Sequence, residues 1–456
     1  MITMRYIFCV LIAMIVTFSQ RSALAEDRQD LRIAIIGAGA AGLTAALTLS
    51  DMGYQQVTVF EASDQVGGKI NSISVDGRAY ELGAAFILPG FETIFNLADR
   101  FSVPYQDSGL RHMVLDRGNA LSDMVDFPQR AFGLDSLIRG MTFFGIFRFF
   151  NPTGFRDDFA LAPSTMNVDF NSFSKRHLFY SLALSSAPML VGCGYGYADE
   201  VPAIYLMQLM DSFVPLFRRA MLFPELMTMP NYVAMFTYGY QTLWNEISRH
   251  LNVRLRSPVT KIVRFRDEDG TQRVALTSGS KTEEFDRLVI SSPLDKALGF
   301  LDASPTEIDL FSRIRYYPYT VTVFRGRNLS RSAITFLDSS TRSDSLGHMT
   351  GLYNQFANDD VWTAGQLGSW DMDRDVMKGI LKKDVAALGG EVDEILVQQT
   401  WSHFPHVKTK DLDEGFYQRM EQLQGISGTY YIGGIMNFDS VEHTARFAKN
   451  LMRRKF

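Results

Sequence analysis

Three glycines and one acid near the start of the chain have the types and spacing of a nucleotide-binding site. The glycines are Gly37, Gly39 and Gly42, and Glu61 follows about twenty residues later. Glycine permits a tight turn and a close approach of the backbone to a pyrophosphate, and a helix that begins there offers free N–H groups to phosphate. A carboxylate at the end of the next strand can accept hydrogen bonds from a ribose. Together these residues predict a dinucleotide site.

The surrounding segments predict the strand, helix and strand that such a site requires. Residues 33–36 form a short apolar run of the kind found in buried parallel strands. A helical pattern follows from Leu43 to Leu49, and a second apolar run at residues 57–60 ends in Glu61. This context disfavours the alternative interpretation, a glycine-rich turn that binds nothing.

Two later segments favour a flavin over a nicotinamide. Residues 66–69 form a second glycine turn that ends in a cation, placed to reach the same phosphates. Residues 81–86 then bring small side chains to a position where a flat ring can lie against the backbone.

These segments resemble the flavin amine oxidase superfamily, whose signature continues from the acid through Gly-Gly-Arg to a loop of small residues against the flavin. The resemblance implies FAD, which we expect to bind without a covalent link. Lys69 stands at the arginine position, so the charge is kept and the planar fork is lost. The superfamily usually has an acid bonded to the ribitol where this chain has Gly434, and either Asp439 or Ser440 can cap the helix that follows.

The resemblance implies a cofactor site assembled from distant parts of the chain. The residue that matches Val259 touches the adenine through its backbone in the superfamily. The predicted cofactor contacts are Gly37, Gly39, Ala41, Gly42, Glu61, Ala62, Gly68, Lys69, Gly83, Ala84, Ala85, Val259, Gly433, Gly434 and Val441. No metal is expected, because Pro405 interrupts the helix that the spacing of His403 and His406 would need.

The predicted fold class is α/β, with the two-domain architecture of amine oxidases. A discontinuous Rossmann-like FAD-binding domain is expected from residues 31–90, 231–295 and 405–456. An α+β substrate domain is expected from residues 91–230 and 296–404. Within the first domain, we expect the strand at Leu288–Ile290 to join the parallel sheet.

Several segments are similar to one branch of the superfamily, the polyenoic fatty acid isomerases and their oxidoreductase neighbours. They include Val201-Pro202 and Phe404-Pro405-His406-Val407. In those isomerases the flavin takes a hydride from an activated CH₂ and returns it at another carbon, while an arginine and an aromatic lid grip the substrate carboxylate. The arginine position holds His112, with Arg111 beside it, and the aromatic position falls at residues 217–218.

The predicted catalytic candidates are therefore Arg111, His112 and Tyr417. Their alternative interpretations are a solvated strand charge, a hydrogen-bonded structural histidine and a packed tyrosine. The expected activity is an FAD-dependent oxidoreductase that abstracts a hydride from a small or apolar substrate, with isomerisation or dehydrogenation of an unsaturated fatty acid as the favoured form. Oxidation of an amine or amino acid, and a non-catalytic flavin-binding protein, remain open.

The composition of the chain limits which classes of binding partner are expected. The 456 residues are 46% hydrophobic and 21% charged, which is typical of a globular chain, and the net charge of −5 disfavours nucleic acid. Residues 131–150 are very apolar and fit a core helix, a tunnel wall or a peripheral membrane contact. The expected partner is a small apolar molecule, and the oligomeric state is left open.

Residues 1–25 predict a secretory signal peptide. Arg5 supplies the positive charge, residues 6–18 the apolar segment and Ala23-Leu24-Ala25 the cleavage site. We therefore expect a periplasmic or secreted protein. An uncleaved membrane anchor is the alternative, although the apolar segment is shorter than a comfortable span. Cleavage leaves Cys193 as the one remaining cysteine, expected to be a buried structural thiol.

Overall fold

The computed structural model describes residues 29–110, 112–115, 121–123, 126–155, 158–212, 233–330, 333–336, 345–356 and 358–456. The predicted signal peptide, Arg111 and the 217–218 position lie outside the described residues. The described chain is a mixed α/β fold, which confirms the predicted class.

Nineteen strands are present among the described residues. They are β1 Ile33–Ile36, β2 Val57–Phe60, β3 Ser72–Val75, β4 Arg78–Glu81, β5 Tyr105–Asp107, β6 His112–Leu115, β7 Leu121–Asp123, β8 Ala234–Phe236, β9 Val253–Arg254, β10 Val259–Arg266, β11 Gln272–Ser278, β12 Lys281–Phe285, β13 Arg287–Ile290, β14 Arg315–Arg327, β15 Ala333–Phe336, β16 Met349–Tyr353, β17 Val361–Leu367, β18 Glu391–His406 and β19 Thr429–Tyr431.

The α-helices of the described residues are numbered in the same way. They are α1 Ala40–Asp51, α2 Glu92–Arg100, α3 Asp126–Phe132, α4 Leu134–Phe150, α5 Phe170–Arg176, α6 Tyr180–Gly192, α7 Ala203–Asp211, α8 Gln241–Ser248, α9 Leu294–Ala297, α10 Pro305–Ser312, α11 Arg374–Ala387, α12 Thr409–Asp413, α13 Phe416–Leu423 and α14 Val441–Lys455. No helix among the described residues has the length and apolar character needed to cross a membrane.

A parallel five-stranded sheet carries the glycine motif. Its order is β19-β13-β1-β2-β9, and every neighbouring pair is parallel. All four residues of β1 are buried, as expected for a parallel strand covered on both faces. Leu288 pairs with Ala34 on one side and with Thr429 on the other, so the expectation that this strand joins the parallel sheet is confirmed.

The two ends of the described chain pack together beside this sheet. Helices α1 and α14 pack against each other. The Tyr54 hydroxyl donates a hydrogen bond to the carbonyl of Phe456, at 2.8 Å, and the two rings meet edge to face. The sheet and these helices therefore join segments that lie near opposite ends of the described sequence.

The larger sheet is mixed and has seven strands in the order β18-β14-β17-β16-β15-β6-β7. The long strands β14 and β18 are antiparallel, whereas β6 joins β15 in parallel. Helix α6 packs against β15, β16 and β17. The domain boundaries given above stay a prediction, although the two sheets draw their strands from the expected alternating segments.

A buried ion pair joins β10 to α10 and β19. The guanidinium of Arg264 binds the Glu307 carboxylate through two hydrogen bonds of 2.6 and 2.8 Å. Tyr431 donates its hydroxyl to the same carboxylate, and Asp302 holds the other edge of the guanidinium. Burial acts to raise the pKa of Glu307, but these donors hold that pKa at about 2. The cluster keeps a buried carboxylate charged.

We expect Glu307→Gln to lower the free energy of unfolding by ~3 kcal/mol at neutral pH, because Arg264 keeps its charge in a buried position. A carboxyl with a lowered native pKa contributes stability above its unfolded pKa of 4.5. That contribution is lost as pH falls towards 2. Urea unfolding at several pH values measures both effects. The control Glu246→Gln, in an exposed pair with Arg249, should cost under about 1 kcal/mol, and equal costs at the two sites would contradict the assignment.

Candidate active site

The first glycine turn connects β1 to α1. Gly37 has φ +100°, a conformation that strongly favours glycine. A Cβ added to Gly42 would lie 2.0 Å from the carbonyl oxygen of Gly37, so the helix can begin this close to the strand only with glycine there. No side chain of the described residues caps this helix at Gly39, which leaves its first N–H groups available to an anion.

Glu61 lies beside this turn at the end of β2. Its carboxylate accepts hydrogen bonds from the backbone N–H of Ala38, at 2.8 Å, and of Ser63, at 2.9 Å. The backbone N–H of Ser257 donates to the carbonyl of Glu61, at 2.8 Å, which brings the start of β10 at Val259 to the same end of the sheet. The acid thus adjoins both the glycine turn and the segment that the resemblance assigns to adenine.

The second glycine turn contacts the first. Gly67 donates its N–H to the carbonyl of Ala38, at 2.9 Å, and pairs with Gly39. A Cβ on Gly68 would lie 3.3 Å from the Cα of Gly39. Two glycine-rich backbones that meet in this way form a cradle from which side chains are excluded, and this geometry fits a pyrophosphate.

The small-residue loop follows the hairpin of β3 and β4 and packs against the end of the second turn. A Cβ on Gly83 would lie 1.8 Å from the carbonyl oxygen of Lys69, so that loop packs backbone on backbone. The indole N–H of Trp401 donates to the carbonyl of Leu82, at 2.5 Å, and fixes the loop from the larger sheet. Ala84 is half-buried and Ala85 is buried. The loop fits the expected position against a flat ring.

Lys69 forms an ion pair that the sequence did not reveal. Its ammonium group binds the carboxylate of Asp439, which is almost completely buried. The same carboxylate accepts the N–H of Phe404, at 3.0 Å, and lies 3.9 Å from the imidazole of His403. Burial acts to raise the pKa of Asp439, but Lys69 and His403 lower it below its usual value, so the group is a carboxylate.

The same aspartate explains why residue 434 is glycine. A Cβ at Gly434 would lie 2.2 Å from Oδ1 of Asp439 and 3.0 Å from Pro405. An acidic side chain therefore has no room at residue 434, because the Asp439 carboxylate already fills that space. Of the two predicted caps of α14, Ser440 is the one used, accepting the N–H of His443 at 3.2 Å.

The beginning of α14 is held by a second buried acid. Glu442 accepts the backbone N–H groups of Thr93, at 3.2 Å, and Ile94, at 3.0 Å, in the first turn of α2. Burial raises the pKa of Glu442 above its usual value, and burial lowers that of His443. Val441, a predicted cofactor contact, is the first residue of this helix and is half-buried.

Aromatic side chains and histidines line the region between the small-residue loop and the larger sheet. The ring centroid of Phe86 lies 5.8 Å from that of His112 and 5.2 Å from that of Tyr353. Farther along, the ring of His403 lies 5.4 Å from that of Tyr195 and 5.6 Å from that of Tyr319. Of the predicted catalytic residues, His112 thus lies beside the residue that ends the small-residue loop.

Tyr417 lies elsewhere. Its buried hydroxyl donates to that of Tyr205, at 2.8 Å, which in turn accepts the backbone N–H of Val407, at 2.9 Å. Its ring packs 4.8 Å from that of Phe159. The structure therefore supports a packing role for Tyr417 rather than the predicted contact with substrate, because both its ring and its hydroxyl are already engaged in the interior.

The expectation that Cys193 is a buried thiol is wrong. The residue is accessible to solvent rather than buried. Surrounding protein still excludes enough water to raise the pKa of the thiol to about 11, so the group is neutral. The carbonyl of Cys193 lies 3.1 Å from the imidazole of His403. Burial also lowers the pKa of His403 to about 4, so this imidazole is neutral at neutral pH.

Comparison with known proteins defines the class. Residues 40–325 match the family described as flavin containing amine oxidoreductase. This match covers more than half of the chain, so the chain belongs to that family and is an FAD-dependent oxidoreductase. The glycine cradle fits the phosphates of FAD, Glu61 fits its adenosine, and the small-residue loop fits its ring.

Solved structures are similar over nearly the whole chain. The CLA-producing fatty acid isomerase from P. acnes is 27% identical to this chain and has a TM-score of 0.83. The similarity covers 94% of this chain and 99% of that chain. Cyclohexylamine oxidase from Brevibacterium oxydans shares the fold at 16% identity, with 93% and 98% covered and a TM-score of 0.69.

Curated relatives match shorter stretches. A 4,4'-diapophytoene desaturase of Staphylococcus aureus is 29% identical over 118 residues, 25% of this chain and 23% of the relative. The polyenoic fatty acid isomerase of Ptilota filicina is 34% identical over 82 residues, 18% and 16% of the two chains. The matches thus span less than a quarter of the length of these relatives.

We expect Glu61→Ala to weaken FAD binding by about 1–3 kcal/mol, the value of hydrogen bonds to a charged group, or roughly fivefold to 150-fold in Kd. Titration of the apoprotein with FAD, followed by flavin fluorescence, measures the change. Glu284→Ala, which removes an exposed acid from β12, is the control. Equal affinity of the Glu61→Ala and Glu284→Ala proteins would show that Glu61 does not contact the cofactor.

The Lys69–Asp439 pair is tested by a double-mutant cycle on the apoprotein. The variants are Lys69→Met, Asp439→Asn and their combination, and we expect a coupling energy of about 1–3 kcal/mol in urea unfolding, because the carboxylate is buried. The matched control is the exposed pair Lys378–Asp375, cycled with the same substitutions, for which about 0.5 kcal/mol or less is expected. Equal coupling in the two cycles would contradict a structural role for the buried pair.

Proposed function

We propose that this protein is an FAD-dependent enzyme that rearranges the double bonds of a long, unsaturated, apolar substrate, of which an unsaturated fatty acid is the favoured class. The observation that carries this proposal is the similarity to the P. acnes fatty acid isomerase, which covers almost all of both chains. Solved amine oxidases share the fold at much lower identity, so they support the architecture and not an amine substrate.

The residues beside the small-residue loop support an apolar substrate. Phe86 and Tyr353 are half-buried aromatic rings in contact with each other, and farther along Tyr319 is half-buried beside His403. The nearby imidazole of His403 is neutral, since burial lowers its pKa to about 4. Burial likewise raises the pKa of Tyr195 and that of Tyr353. Neutral aromatic and imidazole side chains suit an apolar substrate better than a charged one.

FAD, when bound, supplies a ring that can accept a hydride and return it. The chain supplies position and charge. The glycine cradle and Glu61 hold the nucleotide end, and the loop at residues 83–85 leaves a flat surface for the ring. Asp439 and Lys69 fix the segment at Phe404 through the 3.0 Å hydrogen bond to its N–H. We propose that His112, with Arg111 beside it in sequence, lies at the carboxylate end of the substrate.

A second candidate reaction is desaturation. The desaturase of Staphylococcus aureus is among the relatives that match part of this chain, and both reactions begin with removal of a hydride from an activated carbon. The two differ in the product, because an isomerase retains the substrate mass and a desaturase removes two hydrogens.

We also propose that FAD is held without a covalent bond and that the protein is exported. The first proposal is supported by the cofactor site, which consists of glycine backbone, Glu61 and small side chains, and by the raised pKa of the Cys193 thiol. The second is supported by the pattern of residues 1–25. If FAD is not covalently bound, acid precipitation of the protein should leave the yellow colour in the supernatant. If the protein is exported, the protein isolated from the periplasm should have an N-terminal residue that follows the predicted cleavage site.

The reaction is tested by anaerobic incubation of the FAD-loaded protein with unsaturated fatty acids, isoprenoid polyenes and amines in separate samples. We expect a fatty acid product of unchanged mass with new ultraviolet absorption from conjugation, and no peroxide when air is admitted. A mass lower by two hydrogens would identify the desaturase, and bleaching of the flavin by amines alone would overturn the apolar substrate.

The aromatic surface is tested with the same assay. Tyr353→Leu removes a ring that contacts Phe86, so we expect KM for the fatty acid to rise about tenfold, as for the loss of one aromatic contact. Trp370→Leu removes an aromatic ring of high exposure and serves as the control. Unchanged KM in the Tyr353→Leu protein would place the substrate elsewhere.

A further inference from the structure

Helix α4 carries large apolar side chains on two opposite sides. One side faces the interior, where Phe144 and Phe147 are buried. The ring centroid of Phe144 lies 5.8 Å from that of Phe179, and that of Phe147 lies 5.1 Å from that of Phe173. This inner side accounts for part of the apolar character of the helix, and the remaining apolar side chains need another explanation.

The opposite side carries large apolar side chains that are exposed. They are Leu134, Ile138, Ile146, Phe149 and Phe150, which we call the outer face of α4. Phe149 is 78% exposed and Phe150 is 74% exposed. Side chains three or four residues apart lie on one side of a helix, so the residues from 146 to 150 form a continuous patch. A contiguous patch of large exposed apolar side chains marks an interaction surface.

Exposed positive side chains lie on α4 and on the neighbouring helix α5. Arg139 is exposed within the outer face, and Lys175 and Arg176 are exposed at the end of α5. That end of α5 lies beside the C-terminal part of α4, on its inner side, where the ring of His177 is 4.7 Å from that of Phe147. The whole chain has a net charge of −5, whereas these three cations outnumber Asp135, the exposed acid of α4, so the local charge is positive. Apolar side chains flanked by cations are the features by which a helix binds an anionic lipid surface.

We propose that the outer face of α4 docks on an anionic lipid bilayer. Phe149 and Phe150 enter the boundary between headgroups and acyl chains, and the three cations contact the phosphate groups. The long side chain of Arg139 can keep its charge at the headgroups while its stem lies along the apolar face.

The docking face is one helix away from the candidate active site. Helix α6 contacts α4 through a hydrogen bond of 3.0 Å from the hydroxyl of Ser181 to the carbonyl of Ser136. The same helix packs against β15, β16 and β17, and ends beside Cys193. A protein docked through α4 therefore holds the aromatic residues of the site close to the bilayer, where apolar molecules accumulate.

Co-sedimentation with vesicles tests the proposal and involves no substrate, so its outcome is separate from that of the proposed reaction. The FAD-loaded protein is mixed with vesicles of phosphatidylcholine alone, or of phosphatidylcholine with phosphatidylglycerol. We expect the protein to bind the anionic vesicles and to bind neutral vesicles more weakly. The triple variant Ile146→Ser/Phe149→Ser/Phe150→Ser should bind the anionic vesicles about tenfold more weakly or worse, because its apolar contact area is lost.

Two further variants separate the contribution of the cations from that of the apolar side chains of the outer face. Lys175→Ser/Arg176→Ser should lower binding to anionic vesicles by about tenfold and leave binding to neutral vesicles unchanged. Ile308→Ser/Ile426→Ser removes two exposed apolar side chains from other surfaces and should bind as the wild type does. Retention of bound FAD and of the urea midpoint shows that each variant is folded.

Three results would overturn the proposal. The wild-type protein could remain in the supernatant with both kinds of vesicle, or the triple variant could sediment as well as the wild type. Alternatively, size-exclusion chromatography could show a dimer that dissociates in the triple variant, which would identify a second copy of the chain as the partner of the outer face.

Discussion

The burial of β1 on both faces is the constraint on which the rest of the structure depends. A buried strand must satisfy its backbone hydrogen bonds with neighbours on both sides, and β1 finds them in β2, which follows closely, and in β13, which lies far along the chain. Because all of these strands are parallel, their carboxyl ends share one edge. The glycine turn, Glu61 and Ser291 meet there, and Gly37 is close enough to Ser292 that an added Cβ would lie 3.3 Å from its backbone nitrogen. The cofactor site thus follows from the sheet topology.

At the same edge, two departures from the superfamily pattern have one explanation. The chain has Lys69 where the superfamily has arginine, and Gly434 where the superfamily usually has an acid. The structure connects the two positions through Asp439, whose carboxylate binds Lys69 and occupies the space beside Gly434. Asp439 can therefore adopt this conformation only if residue 434 is glycine. Its carboxylate, five residues later in the chain, keeps a negative charge close to the place where the superfamily usually has an acid.

The parts of the site that sequence could predict are those in which spacing along the chain determines spacing in the structure. The glycine turn and Glu61 belong to one strand–helix–strand unit, so their proximity follows from local geometry. The partnership of Lys69 with Asp439 spans 370 residues, and no pattern in the sequence indicates which distant carboxylate turns inward. Tyr417 belongs to a segment near the site, but the direction of its side chain depends on the packing of Phe159 and Tyr205. In α4, large apolar side chains occur on both sides of the helix, so their spacing does not show which side is exposed.

The strand order also determines when this protein can acquire its cofactor. The edge strand β19 and the helix α14 lie late in the sequence, yet β19 pairs with β13, and α14 packs against α1. Contacts between such distant segments form slowly, because a long chain must close before any of them contributes stability. Until residues near 440 have emerged, Lys69 lacks the carboxylate of Asp439, and the cradle stays open on one side. The complete flavin site therefore exists only after these residues have been synthesised and have packed on the earlier segments, so cofactor capture follows that step.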